Sequence, residues 1–184
     1  MDSEEIDKWD LESERAWKND SHDVEFPESI VSLLQTILLP KAKVLDVGCG
    51  IGKHVKAFRK LGYDAMGIDQ SKKAVEYAGK LNPDAQIVHM RIQDLAFTSM
   101  FSLIHTSAVL QHSKHERKQE ILKRFITALK PLGYYLCTEN TLAEGKESDG
   151  YSFTHEGWIR FMSVNGFKHV KTFFPWPYYL FRKG

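Results

Sequence analysis

The chain has 184 residues and a mass of 21.2 kDa, with 42% hydrophobic and 27% charged residues and a formal net charge of +1. That length and mixture suit one folded domain, leave little room for a second and exclude a disordered chain. The near-neutral balance supplies no long-range field for a polyanion, so a duplex nucleic-acid partner is not expected. The charge is unevenly spread: residues 1–25 hold ten acids against three Lys/Arg, a local −7 that leaves +8 on the remainder. Two cysteines, Cys49 and Cys137, rule out a disulfide framework, a four-thiolate zinc site and a three-cysteine iron–sulfur cluster. Both are expected as reduced, buried thiols. The acidic start is the opposite of a signal peptide, and no apolar run approaches about 18 residues. A soluble, cytoplasmic protein without a membrane partner is therefore expected.

In chain order, residues 4–18 predict an acidic helix carrying Trp9, Leu11 and Trp17. Pro27 opens a second helix, with Ile30, Leu33, Leu34, Ile37 and Leu38 at helical spacing and Pro40 beyond its end. Lys43–Val47 is a short β-rich run ending at the turn Gly48-Cys49-Gly50-Ile51-Gly52, and a helix over 54–61 follows. The alternation then repeats. Strands are predicted at 65–69, 86–90, 101–106 and 133–138, with helices at 72–81, where Ser71 is a good N-cap, and at 114–130. After a polar loop over 140–152, Thr154 starts a helix to about Asn165. Two final runs, 167–173 and 178–182, flank Pro175-Trp176-Pro177, which reads as a hairpin. Strands alternating with helices predict an α/β fold: a doubly wound, mostly parallel sheet, closed by a C-terminal antiparallel hairpin, with helices on both faces.

Ligands of such sheets bind beyond the C-terminal strand edges, where the glycine turn 48–52 falls. Its amides and the following helix N-terminus are expected to face a polar or anionic group. A dinucleotide fingerprint would need a third glycine where Lys53 stands, so the nicotinamide reading fails by one residue. A phosphate-binding Walker loop has no match.

The run Val44-Leu45-Asp46-Val47-Gly48-Cys49-Gly50-Ile51-Gly52 resembles the first motif of class I S-adenosylmethionine-dependent methyltransferases. Gly67-Ile68-Asp69-Gln70-Ser71, Gln93-Asp94, Thr106–His112 and Leu129-Lys130-Pro131-Leu132-Gly133 stand where that family has its further motifs. The resemblance spans roughly residues 40–184 and implies a seven-stranded, Rossmann-like core, with residues 1–39 as a helical cap or lid of a single 1–184 domain. It also implies S-adenosyl-L-methionine as cofactor and S-adenosyl-L-homocysteine as product. Gly48, Cys49, Gly50 and Gly52 would line the cofactor. Asp69 would take the ribose hydroxyls, which a carboxylate does well. Gln70 would lie against the adenine, with Gln93 and Asp94 reading its edge. Asp46 would help hold the methionine amino group, and Thr106 falls where a backbone carbonyl contacts the methionine end.

The acceptor side is less determined. Eight histidines invite a search for a base. His112 is the first candidate, ahead of His105, His115 and His155, although a structural role at the loop is the competing reading. His115, in the basic run 114–118, and His54 read as solvated surface residues. Glu139-Asn140 resembles the acid–Asn pair of catechol-type O-methyltransferases, but His105-Thr106 stands where those enzymes place an acid after the fourth strand. No metal is expected. The acceptor pocket is expected from helix 4–18, loop 107–115 and loop 140–153, whose aromatic residues suit a small molecule. The resulting expectation is metal-independent methyl transfer to oxygen or nitrogen of a small molecule. Modification of tRNA or protein, or a non-catalytic cofactor-binding subunit, are the alternatives; oligomeric state is left open.

Overall fold

A computed structural model describes residues 3–19, 21–142, 150–175 and 177–184. Residues 143–149 of the expected polar loop, and Trp176 of the Pro-Trp-Pro turn, lie outside the described residues. Seven strands form one mostly parallel sheet in the order β3-β2-β1-β4-β5-β7-β6, antiparallel at its β5-β7-β6 end, with helices on both sides. The chain divides into two compact units at Asp94/Leu95.

The first unit holds α1 (Ser3–Asn19), α2 (Glu28–Ile37), β1 (Lys43–Val47), α3 (Lys53–Lys60), β2 (Asp64–Asp69), α4 (Lys72–Leu81) and β3 (Ile87–His89). Strand β2 pairs in parallel with β1 and with β3, so the three C-terminal ends share one edge. Val44, Leu45, Val47 and Ile68 are fully enclosed, with Val55 and Phe58 of α3 in the same core. Burying each such side chain contributes roughly 1.5–3 kcal/mol. Helix α4 starts as its sequence demands, Ser71 Oγ accepting from Ala74 N at 2.9 Å. Helix α1 is docked on it. Asp10 Oδ1 accepts from Ser71 Oγ at 2.6 Å and from Lys73 N at 3.3 Å, and Trp17 stacks on Tyr77 with ring centroids 4.7 Å apart. Strand β3 is shorter than the 86–90 expected.

The second unit holds β4 (Phe101–Ser107), α5 (His115–Ala128), β5 (Leu129–Thr138), α6 (His155–Val164), β6 (Phe167–Phe173) and β7 (Tyr178–Lys183). Strand β4 pairs in parallel with β5, and β7 lies antiparallel between β5 and β6, the hairpin that the flanking prolines predict. One boundary differs from expectation. Helix α5 ends at Ala128 rather than 130, because the residue before Pro131 is driven out of helical conformation. Strand β5 therefore begins at Leu129 and loops out before resuming: Phe101 opposes Leu129, but Leu103 opposes Tyr134. Leu132, inside that bulge, has φ +60° and a 65% exposed side chain. Trp158 and Phe161 of α6 are buried core residues, as are the thiols of Cys49 and Cys137 in their respective units. Among the described residues no helix is long and apolar enough to cross a membrane.

Candidate functional site

In the first unit, the expected cofactor residues gather along the shared C-terminal edge of β1, β2 and β3. Asp46, near the end of β1, is buried, and loss of water pushes its carboxyl up to about 7, against the opposing pull of His54. His54 is half-buried, its ring 5.5 Å from that of Phe26, rather than free in solvent. The glycine turn is folded by its own bonds. Gly48 N and Cys49 N donate to Ile68 O at 2.9 and 3.0 Å, Gly52 N donates to Cys49 O at 2.9 Å, and Gly50 N donates to Asp69 Oδ2 at 2.9 Å. These four amides, expected to face a ligand, are thus committed to the protein; what the turn offers instead is shape. Gly52 has φ +83°, and a Cβ there would meet Asn82 Nδ2 at 2.6 Å and Ala78 Cβ at 2.9 Å. Gly50 has φ +52°, and a Cβ there would meet nothing within 4 Å. Room for close ligand approach is therefore on the Gly50 side.

Asp69 closes β2 and is half-buried. Besides Gly50 N, it accepts from Ser71 N, through Oδ1 at 2.9 Å. Burial raises its pKa, against the lowering effect of those amides. The Gln70 backbone bonds the carboxylate as well; two oxygens can accept about four hydrogen bonds between them, so some acceptor capacity remains for a hydroxyl. Gln70 follows directly, its carbonyl 2.8 Å from His89 Nε2. Gln93 and Asp94 form the 3-10 turn Ile92–Asp94, where the exposed Asp94 carboxylate pairs with Arg91 Nε at 2.9 Å.

In the second unit, Thr106 is fully buried on β4, its hydroxyl 2.8 Å from Tyr135 Oη and donating to Glu139 Oε1 at 3.3 Å. His112 ends the 3-10 turn Leu110–His112 and is exposed, with its Nε2 3.4 Å from Gln111 Nε2. The other histidines take different places. His105 is enclosed, and burial lowers its pKa to about 3, so it is neutral. His155 lies 3.0 Å from Tyr179 Oη through Nδ1. His115, expected in solvent, is half-buried and stacked on Phe153 with ring centroids 3.9 Å apart.

Two residues of this unit carry more than their sequence context announces. Glu139 is buried, accepting from Gln111 N at 2.9 Å, from Leu110 N at 3.2 Å and from Thr106; burial raises its pKa to about 7. Lys118, the last residue of the basic run 114–118, is 2% exposed and donates to Ser113 O and Tyr151 O. Its helical spacing to the apolar Ile121, Leu122 and Phe125 of α5 is the sequence signal for that burial. Gln111, Lys118, Glu139, Tyr151, Phe153 and Trp158 line a small, half-open crevice. Loops 107–115 and 140–153, named from sequence as acceptor walls, both contribute to it.

Residues 44–133 match the model of a methyltransferase domain. An uncharacterized methyltransferase of Synechocystis sp. is 36% identical over 102 residues, 54% of this chain and 48% of that protein. Phosphoethanolamine N-methyltransferase 1 of Zea mays is 29% identical over 149 residues, 72% of this chain and 29% of that protein. The chain spans about half the length of the first curated relatives it matches. Among solved structures, the 1,6-didemethyltoxoflavin-N1-methyltransferase of Burkholderia thailandensis, with bound 1,6-didemethyltoxoflavin and S-adenosylhomocysteine, superimposes with a TM-score of 0.74. It is 17% identical, and the match covers 98% of this chain and 86% of that one; at such identity it speaks for the fold. The first motif in the turn after β1, the acid closing β2 and the seven-stranded order accord with that methyltransferase-domain match over residues 44–133 and are consistent with the class I S-adenosylmethionine-dependent methyltransferases.

Proposed function

We propose that this protein transfers a methyl group from S-adenosyl-L-methionine to an oxygen or nitrogen of a small molecule, without a metal ion. The observation that carries the reading is Asp69, half-exposed at the end of β2 and tied through one oxygen to the open Gly50 turn. That arrangement suits a ribose diol beside a turn that a ligand can approach closely. Asp69 would take the ribose, Gln70, Gln93 and Asp94 the adenine, and Asp46 and the Thr106 backbone the methionine end, beside Gly48, Cys49, Gly50 and Gly52. When bound, the cofactor supplies a methyl already activated by its sulfonium, so the chain's own contribution is alignment and exclusion of water. His112 would accept the acceptor's proton where one must leave.

The aromatic crevice and the N-methyltransferases among the similar proteins support a small acceptor rather than tRNA or protein. The same reading treats residues 1–184 as one cytoplasmic methyltransferase domain, with α1 as a lid docked through Asp10 and Trp17 on α4. Calorimetric titration with S-adenosylmethionine, S-adenosylhomocysteine and NADH in parallel tests it. Micromolar binding of the first two alone is expected. Binding of NADH alone would replace the cofactor. Binding of the first two with no turnover on any small amine, phenol or carboxylate would favour a non-catalytic subunit.

A further inference from the structure

We propose that Glu139 is a positioning residue for methyl transfer: its carboxylate fixes the backbone turn that carries His112. The inference rests on the reading of His112 as an acceptor-side group. Three consecutive residues at the end of β5 grip the segment after β4. Thr138 O accepts from Ala108 N at 2.8 Å, Glu139 accepts from Leu110 N and Gln111 N, and Asn140 N donates to Gln111 Oε1 at 3.0 Å. Gln111 is thereby held at its backbone by Glu139 and at its side chain by Asn140, and the same side chain's Nε2 lies 3.4 Å from the His112 ring. Lys118 secures the far end of the turn through Ser113 O.

The segment needs this grip. Ala108 has φ +55°, a conformation that costs a non-glycine residue free energy unless its surroundings impose it. The 3-10 turn that follows is a single turn, too short to hold itself. Its N–H groups at 110 and 111 would be unsatisfied without an acceptor, and a buried carboxylate is a strong one. A neutral amide at position 139 offers one accepting oxygen where the carboxylate has two, so Glu139→Gln must release at least one of the two N–H groups.

Glu139 is faced by Thr106 from β4, by Tyr135 and Cys137 from β5 and by the Lys118 ammonium from α5. Enclosure opposes the ionised carboxylate, whereas the Gln111 and Leu110 amides, the Thr106 hydroxyl and the Lys118 ammonium favour it. The grip is therefore pH-dependent, and the wild-type chain reports it without any substitution.

The experiment follows the amide protons of Leu110 and Gln111 and the His112 ring by NMR between pH 5 and 9. The two amides should titrate together with one midpoint near neutrality. In Glu139→Gln that shared transition should vanish, their hydrogen exchange should accelerate at least tenfold, and the His112 midpoint should move. Thr106→Val, which removes the third donor and spares both amide bonds, should keep the transition. Amides that titrate independently, or that exchange equally slowly in Glu139→Gln, overturn the assignment. S-adenosylhomocysteine affinity, expected within threefold of wild type in Glu139→Gln, separates the two readings. Failure of the wild type to bind it sinks the methyltransferase proposal while leaving the grip on the turn to stand or fall by its own signals.

Discussion

Asp69 closes β2 in the first unit and Glu139 follows β5 in the second, and each carboxylate accepts backbone N–H groups from segments nearby. The two then diverge. Asp69 is half-buried, is bonded by the Gly50, Gln70 and Ser71 backbone and still opens in part to the outside. Glu139 is enclosed, adds the Thr106 hydroxyl and lies against a buried ammonium. One carboxylate both folds a loop and presents a surface; the other is consumed in folding a loop. The difference teaches that an acid at a strand end is not by itself a binding group. What decides is how many of its lone pairs the protein has already taken.

The largest test of this contrast is the pH dependence of stability. Burial raises the folded-state pKa of Glu139 from 4.5 to about 7. The unfolded chain therefore loses its proton first, and the stabilisation present below about pH 4.5 is lost as pH rises through 7, on the order of 3 kcal/mol. Asp46 has the same sign, whereas His105, neutral when folded, destabilises as pH falls below 6.5. Glu139→Gln isolates one contribution. The urea midpoint of the variant minus that of wild type should climb between pH 4.5 and 7.5; a flat difference would show that Glu139 is ionised throughout.

Next is Gly52→Ala. With φ +83° and a Cβ forced against Asn82 and Ala78, it should destabilise by roughly 2 kcal/mol, read as a drop in thermal midpoint. An unchanged midpoint would mean that the turn after β1 adapts, and that its shape is not the rigid element on which Asp69 depends. Asp69→Ala should then weaken S-adenosylhomocysteine binding more than tenfold, about 1.4 kcal/mol or more, since it removes charge-assisted bonds to the ribose and frees Gly50 N. If the affinity of Asp69→Ala matches wild type, the proposed division between a presenting and a consumed carboxylate collapses.

These two sites were not equally legible from sequence. The first unit's site lies on consecutive strand ends, where hydrophobic runs, a glycine turn and a terminal acid are all local signals. Asp69 and Gly50 are 19 residues apart, yet adjacent parallel strands bring them together by rule. The second unit's site depends on loops. Glu139 reaches a turn 28 residues earlier, and no periodicity relates them. The pair Glu139-Asn140, set aside as a metal site from sequence, gives no sign there that the carboxylate binds amides. The basic run 114–118 does not by itself announce the burial of Lys118, which follows from the helix face that it shares with Ile121, Leu122 and Phe125. The β5 bulge escaped too, since a helix stop and a proline look alike whether the strand begins before or after them.

The smallest effect sharpens the comparison inside the first unit. Ser71 donates its backbone N–H to Asp69, caps α4 by accepting from Ala74 N and donates its hydroxyl to Asp10 of α1. Ser71→Ala loses the cap and should cost about 1 kcal/mol. Asp10→Ala leaves that cap in place and removes a weaker second acceptor at Lys73 N, so it should cost less than half as much in a chemical-denaturation midpoint. If α1 is a lid over the ribose side, Asp10→Ala should nonetheless speed S-adenosylhomocysteine release by several-fold in stopped flow, because the tie to Ser71 is what holds the helix down. Equal stability losses in the two variants would mean instead that α1 is an integral wall of this unit and that Asp10, like Glu139, serves only to hold its neighbours.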